Sequence, residues 1–181
     1  MLGIVFTEFM EMVEDNFSPD VADEIMEAVE SELPSGGVYT AVGEYDHGEM
    51  LLLVTKLSER TDLPIPALVE AFGKHLFPRF VERYPVFFGS VDDTFKFLSG
   101  IENHIHVEVK KLYPQAELPR FDCYQPDENT LVMEYSSSRP FSALALGLIR
   151  GAMEHFGDEI KLTSDTDGGT GNHAKFTLER M

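Results

Sequence analysis

One cysteine, Cys123, is all this chain has. No internal disulfide can form, no thiolate zinc cage can close, and such usage suits a reducing compartment. Cations are also scarce: 14 lysines and arginines stand against 32 acids, a formal charge of -18. Repulsion of that sign argues against a phosphate backbone or an anionic bilayer, so neither nucleic acid nor membrane is expected as a partner. The longest apolar run, Ala143 to Ile149, is far too short to cross a bilayer. The opening residues, MLGIVFTEFMEMVEDNF, alternate apolar and acidic side chains with no basic region, unlike a secretory signal. A soluble cytoplasmic protein is expected, its 181 residues forming one domain with a substantial core.

Signs of nucleophilic catalysis are missing as well. Cys123 falls on a predicted strand with no basic activator near it in sequence and reads as a small buried thiol. The glycines around Gly168 lack the strand, spacing and helix of a phosphate loop. His47, His75, His155 and His173 stand alone in acidic or polar surroundings and read as solvated. Carboxylate pairs are too common in so acidic a chain to single out an acid and a base.

What is present is mostly helix for the first 112 residues, then sheet. Apolar residues recur at helical spacing from Gly3 to Phe17, and Ser18-Pro19 caps a second helix running to about Glu30. A loop with two adjacent glycines covers Leu33 to Gly43, and a third helix covers about Gly48 to Arg60. A fourth helix starts near Pro66 and contains Gly73 and Pro78, a combination that lets a neighbour or ligand come close. After Leu112, Phe121 to Tyr124 and Thr130 to Tyr135 read as a hairpin, Arg139 to Phe156 as a deeply buried helix, and Glu159 to Thr163 with Ala174 to Leu178 as two more strands. Asp167 to Asn172 makes the loop between those last strands.

The central stretch, Ser90 to Leu112, is predicted as one helix, with Ser90 capping it and Asp93 closing a capping box. Val91, Phe95, Leu98, Ile101, Ile105, Val109 and Leu112 form its apolar stripe. Two residues apart on a helix, His104 and His106 diverge by about 200° and cannot chelate together. His106 lies at the edge of the stripe and His104 nearer the polar side. Two readings stand: boundary residues of an amphipathic helix, or a single imidazole offered to a large apolar cofactor. The segment Tyr135-Ser136-Ser137-Ser138-Arg139 is also ambiguous. Alternation along a strand brings Tyr135, Ser137 and Arg139 to one face as a clamp for a carboxylate, or the serines cap the next helix while the arginine pairs with a surface acid.

The Tyr-x-Ser-x-Arg segment, a helix carrying Ile105-His106-Val107-Glu108-Val109 about thirty residues earlier, and the opening Met-x-Gly-Ile together resemble the haem nitric oxide/oxygen binding (H-NOX) domains, relatives of the haem domain of soluble guanylate cyclase. The resemblance runs along essentially the whole chain. It implies an α+β fold, a helical N-terminal half packed on a C-terminal antiparallel sheet with one long buried helix, and haem b (iron protoporphyrin IX) between them. A distal helical part covers about 1–65 and a proximal part about 66–181. His106 is implied as the proximal iron ligand, Tyr135, Ser137 and Arg139 as propionate binders, and Pro119 as the proline packed on the porphyrin. Oxygen-binding members use a distal tyrosine where this chain has Leu144, and the neighbouring distal positions Val5, Phe9 and Leu76 are apolar. The resemblance therefore implies a ferrous five-coordinate haem that binds nitric oxide and carbon monoxide and excludes dioxygen; His75 should point away if Leu76 points inward.

Some bacterial members carry a zinc site where this chain has Ser142, Ser164, Asp167 and Ala174, so zinc is not expected. The resemblance also implies a non-enzymatic sensor in which nitric oxide releases His106, the helical half shifts against the sheet half, and a histidine kinase or a cyclic-di-GMP synthase or hydrolase responds in trans. Competing readings are a haem-free acidic adaptor and a peroxidase, the latter disfavoured because the distal positions supply no polar acid or base.

Overall fold

The computed structural model describes residues 1–89, 91–166 and 169–181. Two compact units divide it, Met1–Phe72 and Gly73–Met181, and the division falls inside one helix. The architecture is α+β, as expected.

In the first unit, α1 (Gly3–Asn16) buries Ile4, Phe6, Phe9, Met12 and Val13. α2 (Pro19–Val29) starts where the sequence marks it: the Val21 N–H donates to Ser18 Oγ at 3.2 Å, Pro19 occupies the first turn and Asp20 faces the positive end of the dipole. A 3-10 turn (Glu30–Glu32) leads into a loop, and α3 (His47–Thr61) follows, capped by Asp46. Phe6 stacks on Tyr39 at 4.4 Å between ring centroids and meets Tyr45 edge-on at 5.6 Å, so the loop is held by aromatic contacts. The chain's start is tied to the same loop, since Gly3 N–H donates to Gly43 at 2.7 Å. A Cβ on Gly3 would lie 1.9 Å from the Thr40 carbonyl oxygen, which is the physical content of the opening Met-x-Gly-Ile.

Glu49, in the first turn of α3, is 3% exposed and accepts hydrogen bonds from the Ser35 hydroxyl and, at 2.9 Å, from Tyr39. Two O–H donors and the helix N-terminus offset the cost of burying that charge. Burial, the leading cause, together with the Glu49 charge pushes the Tyr39 phenol up to about 12 from its usual 10. A raised phenol pKa stabilises the fold fully below pH 10, and that stability is lost as pH rises from 10 to about 12. Denaturant midpoints taken across that range should fall in the wild type and fall less in Tyr39→Phe; parallel slopes would refute the assignment.

In the second unit, α4 (Ile65–Arg83, which begins in the first) runs unbroken through Pro78. α5 (Thr94–Ser99), a π-helical turn (Ile101–Ile105) and α6 (His106–Leu112) form the central stretch. This corrects the expectation of one regular helix from Ser90. Ser90 itself lies outside the described residues. Asp93 is the cap, accepting from the Lys96 N–H at 2.9 Å, rather than the inner member of a capping box. The apolar stripe survives the interruption, for Ile101 and Ile105 both pack on the core.

Strands β1 (Arg120–Asp127), β2 (Thr130–Ser136), β3 (Ile160–Thr166) and β4 (His173–Arg180) make an antiparallel sheet in the order β1-β2-β4-β3. β1 runs further than predicted, into the expected turn, with a bulge between Tyr124 and Asp127. α7 (Ser142–Phe156) lies between β2 and β3 in sequence and starts three residues later than expected, because Ser137 to Phe141 form an irregular turn. Ala145, Ile149 and Ala152 of α7 join Leu131, Met133, Phe176 and Leu178 of the sheet in the core. The burial of α7 is one-sided, with Arg150, Glu154 and His155 exposed, so it is less deep than its composition suggests.

At Gly73, α4 meets the backbone of α7 directly. A Cβ on Gly73 would lie 2.3 Å from the Leu144 carbonyl oxygen and 2.9 Å from Gly147 Cα. The neighbour admitted by this glycine is thus the backbone of α7.

Candidate functional site

The geometry begins at the π turn. Its hydrogen bonds run five residues back: Ile105 N–H reaches the Gly100 carbonyl at 3.4 Å, and His106 N–H reaches Ile101. Such turns are rare in helices and concentrate at functional positions. Here the turn carries Glu102 and delivers His106 to the first residue of α6. His106 Nδ1 lies 3.1 Å from Glu102 Oε2, and the Phe121 N–H of β1 donates to the same oxygen at 3.1 Å. An ionised carboxylate offers only lone pairs, so Nδ1 carries the proton and Nε2 keeps its own lone pair for another partner. The His106 side chain is 15% exposed. Burial holds its pKa below the usual histidine range, against the opposing pull of Glu102, which favours the neutral ring that a metal requires. His104 is exposed and meets the edge of Phe87, so the two histidines part company as the spacing predicts.

From His106 an aromatic path leads across the sheet. Its ring centroid is 6.0 Å from that of Phe121, Phe121 is 5.5 Å from Tyr135, and Tyr135 is 6.4 Å from Phe176. Tyr135 is 4% exposed, and burial raises its phenol pKa while a hydrogen bond with Ser137 and the nearby Arg139 charge oppose the rise. Ser137 Oγ also accepts from the Arg139 N–H at 3.0 Å. The structure therefore brings Tyr135, Ser137 and Arg139 together. β2 ends at Ser136, so the convergence comes from a serine turn beyond the strand and not from alternation along it. That turn is held from the other side, where Ser137 N–H donates to the Asn172 carbonyl at 2.9 Å and Asn172 Nδ2 returns a bond to Ser137 O at 3.0 Å.

The Arg139 guanidinium is divided. Nη2 donates to Glu117 Oε2 at 2.8 Å and Nη1 to the Glu117 carbonyl at 3.4 Å, while Nε is buried with no protein acceptor. A buried, orphaned N–H beside a phenol and a hydroxyl is a ready place for an external carboxylate. Pro119 is half-buried just before β1 and two residues from Phe121. Leu76 is buried, Leu144 and His75 are half-buried, and all three belong to the second unit. Val5, half-buried, and Phe9, fully buried and edge-on to Phe72 at 5.3 Å, belong to the first.

Of the four positions where some members carry zinc ligands, three lie in the sheet or at the start of α7. Ser142 N–H donates to the Gly171 carbonyl at 3.0 Å, Ser164 pairs with Phe176 and Ala174 pairs with Tyr135; Asp167 lies outside the described residues. Among the described residues, no three His, Cys, Asp or Glu side chains gather as a metal site. Cys123 Sγ points at the Leu98 carbonyl at 3.9 Å, and burial pushes its thiol up to about 11.

Sequence reasoning missed Glu102, Glu117 and Phe121. For Glu102 a signal existed: it stands four residues before His106, a spacing at which helical side chains meet.

Comparison with known proteins agrees with this geometry. A family model described as Haem-NO-binding matches residues 2–164. An H-NOX protein from K. algicida, crystallised in the Fe(II) unliganded state, is 40% identical with a TM-score of 0.93, covering 100% of this chain and 97% of its own. An H-NOX protein from S. oneidensis in the Fe(II)NO state is 31% identical with a TM-score of 0.90, covering 100% and 99%. The H-NOX of Shewanella woodyi, bound to IWP-051 in the Fe(II)CO state, is 42% identical with a TM-score of 0.81, covering 100% and 95%. No curated protein matches the chain. Haem asks of a protein one imidazole nitrogen for iron and donors for two carboxylates, and the residues here fit it: Nε2 of His106 is unclaimed by the Glu102 bond, and Nε of Arg139 is unclaimed by any protein acceptor. With fold, matched residues and donor set in agreement, the chain belongs to the Haem-NO-binding (H-NOX) family of haem proteins.

Proposed function

We propose that the protein is a haem-based sensor that binds nitric oxide and carbon monoxide, excludes dioxygen and regulates a separate signalling protein. The observation that supports this most is the pair of unspent nitrogens, His106 Nε2 at one end of the His106–Phe121–Tyr135 aromatic path and Arg139 Nε in the serine turn that follows Tyr135. Ferrous haem supplies the iron that binds the gas. His106 is the single protein ligand to that iron. Tyr135, Ser137 and Arg139 hold the propionates, the arginine through the donor that Glu117 does not occupy, and Pro119 packs on the ring.

Selectivity follows from what the distal positions cannot do. Bound dioxygen separates charge and needs a hydrogen-bond donor, whereas nitric oxide does not, and Val5, Phe9, Leu76 and Leu144 offer none. Nitric oxide bound at the haem would weaken its hold on His106, and α6 would then be free to move against β1, to which Glu102 links it. The chain acts in trans and not as an enzyme. Its one thiol is held protonated, at about 11, and the distal positions Val5, Phe9, Leu76 and Leu144 supply no acid or base. A cytoplasmic histidine kinase, or a cyclic-di-GMP synthase or hydrolase, is the partner class. Its docking face should be basic, because no lysine or arginine precedes Lys56 in this acidic chain. Among the described residues no helix is long and apolar enough to cross a membrane.

The absorption spectrum of the anaerobically reduced protein tests the proposal. A five-coordinate ferrous Soret band, unmoved by brief air exposure and shifted by nitric oxide to a five-coordinate nitrosyl, is expected. A stable oxygenated spectrum would overturn the selectivity, and colourless protein would favour a haem-free acidic adaptor.

A further inference from the structure

The arginine of the clamp already has an acid of its own. Nη2 of Arg139 donates to Glu117 Oε2 at 2.8 Å and Nη1 to the Glu117 carbonyl at 3.4 Å, so one residue engages both terminal nitrogens. The acid is solvated, with 69% of its side chain exposed, whereas the arginine side chain is 16% exposed and its Nε is buried. A guanidinium is a planar fork, and an acceptor at its tip leaves the Nε–H and one hydrogen on each terminal nitrogen for a second carboxylate at its side. Arg139 therefore meets a surface acid and keeps a face for an external carboxylate at the same time. We propose that Glu117 is a positioning residue of the clamp and also a competitor within it: its two bonds hold the guanidinium so that the Nε edge is offered to a haem propionate, while its charge opposes that propionate and loosens the hold on haem.

The inference rests on the haem-sensor reading and adds to it. Haem brings two carboxylates to a trio in which Arg139 is the only cation, and Glu117 makes a third anion around it. Like charges that share one guanidinium repel, and the repulsion acts through water where salt can screen it. The orienting effect has the opposite sign, because a long side chain already held in one geometry loses less rotamer freedom when the ligand arrives. Glu117 also stands two residues before Pro119, so its bond to Arg139 ties the segment between α6 and β1 to the clamp.

Two variants of the haem-loaded protein separate charge from geometry. Glu117→Gln keeps an acceptor oxygen at the same reach and removes the charge; Glu117→Ala leaves only the backbone carbonyl bond. The measurement is the rate of haem transfer to excess apomyoglobin, followed by absorption. Glu117→Gln should release haem about two- to fivefold more slowly than wild type at low salt, the scale of an exposed ion pair. That difference should largely vanish at about 1 M salt, where the Debye length is about 3 Å. Glu117→Ala should release haem faster than Glu117→Gln. A Glu117→Gln rate equal to or above wild type would overturn the competition. So would a slowing that survives at high salt, since packing and not charge would then be its cause. Equal rates in the two variants would overturn the orienting role. The sensor reading stands in all three cases, whereas wild-type protein with no haem to transfer would overturn that reading itself.

Discussion

Replacing His106 with glycine should give a protein that retains haem only while free imidazole is supplied, and whose partner no longer responds to nitric oxide. In the proposed sensor the His106 ring is the iron ligand, and its removal leaves a gap that a small imidazole can fill. The substitution is mild for the fold: glycine costs about 1 kcal/mol in a helix interior, and the Phe121 bond to Glu102 does not depend on the histidine. Supplied imidazole restores a ligand that is not attached to α6, so occupancy of the iron and movement of the helix are uncoupled. The checks are the absorption spectrum with and without imidazole, and partner activity with and without nitric oxide. Unaltered gating in the imidazole-rescued variant would sink the tether.

The second large effect is expected at Gly73→Ala, where α4 meets the backbone of α7. The new methyl would lie 2.3 Å from the Leu144 carbonyl oxygen, 2.9 Å from Gly147 Cα and 2.9 Å from Leu148 N, and all three are backbone atoms that no rotamer can move aside. Alanine recovers about 1 kcal/mol of helix propensity, whereas overpacking of this kind costs about 1–3 kcal/mol or more. The clash should win, and α4 and α7 should separate. Urea unfolding should show a lower midpoint than wild type. Because Leu144 sits on the displaced stretch of α7, the carbon monoxide and nitric oxide spectra should shift too. A raised midpoint would mean that the helices part at no cost.

How much of this could be read beforehand depended on whether the cause was local. Helices and strands followed from periodicity and caps, and Ser18 with Pro19 marks the start of α2 within a residue. The close approach at Gly73 was legible as a possibility, but its object, α7, comes from far along the chain. The break in the central helix was hidden because Leu98, Ile101, Ile105 and Val109 keep a helical stripe through it. What marks the π turn is a bond to Phe121, nineteen residues away, and no propensity encodes that. The convergence of Tyr135, Ser137 and Arg139 was reached by an argument only partly right, since Tyr135 leaves from a strand while Ser137 and Arg139 belong to the turn after it. Glu102 escaped notice as one acid among 32, although its spacing to His106 was in plain view.

The π turn has one more consequence, in the currency of codons. A turn that closes over five residues holds one more than the α turn it replaces, and the helix on either side keeps its phase around such a bulge. One residue can therefore be gained or lost between α5 and α6 without swinging everything downstream to another face, as it would in an uninterrupted helix at about 100° per residue. Removing one residue from the turn should therefore still aim His106 at the same sheet, and which residue is removed decides whether an acid reaches across to meet it.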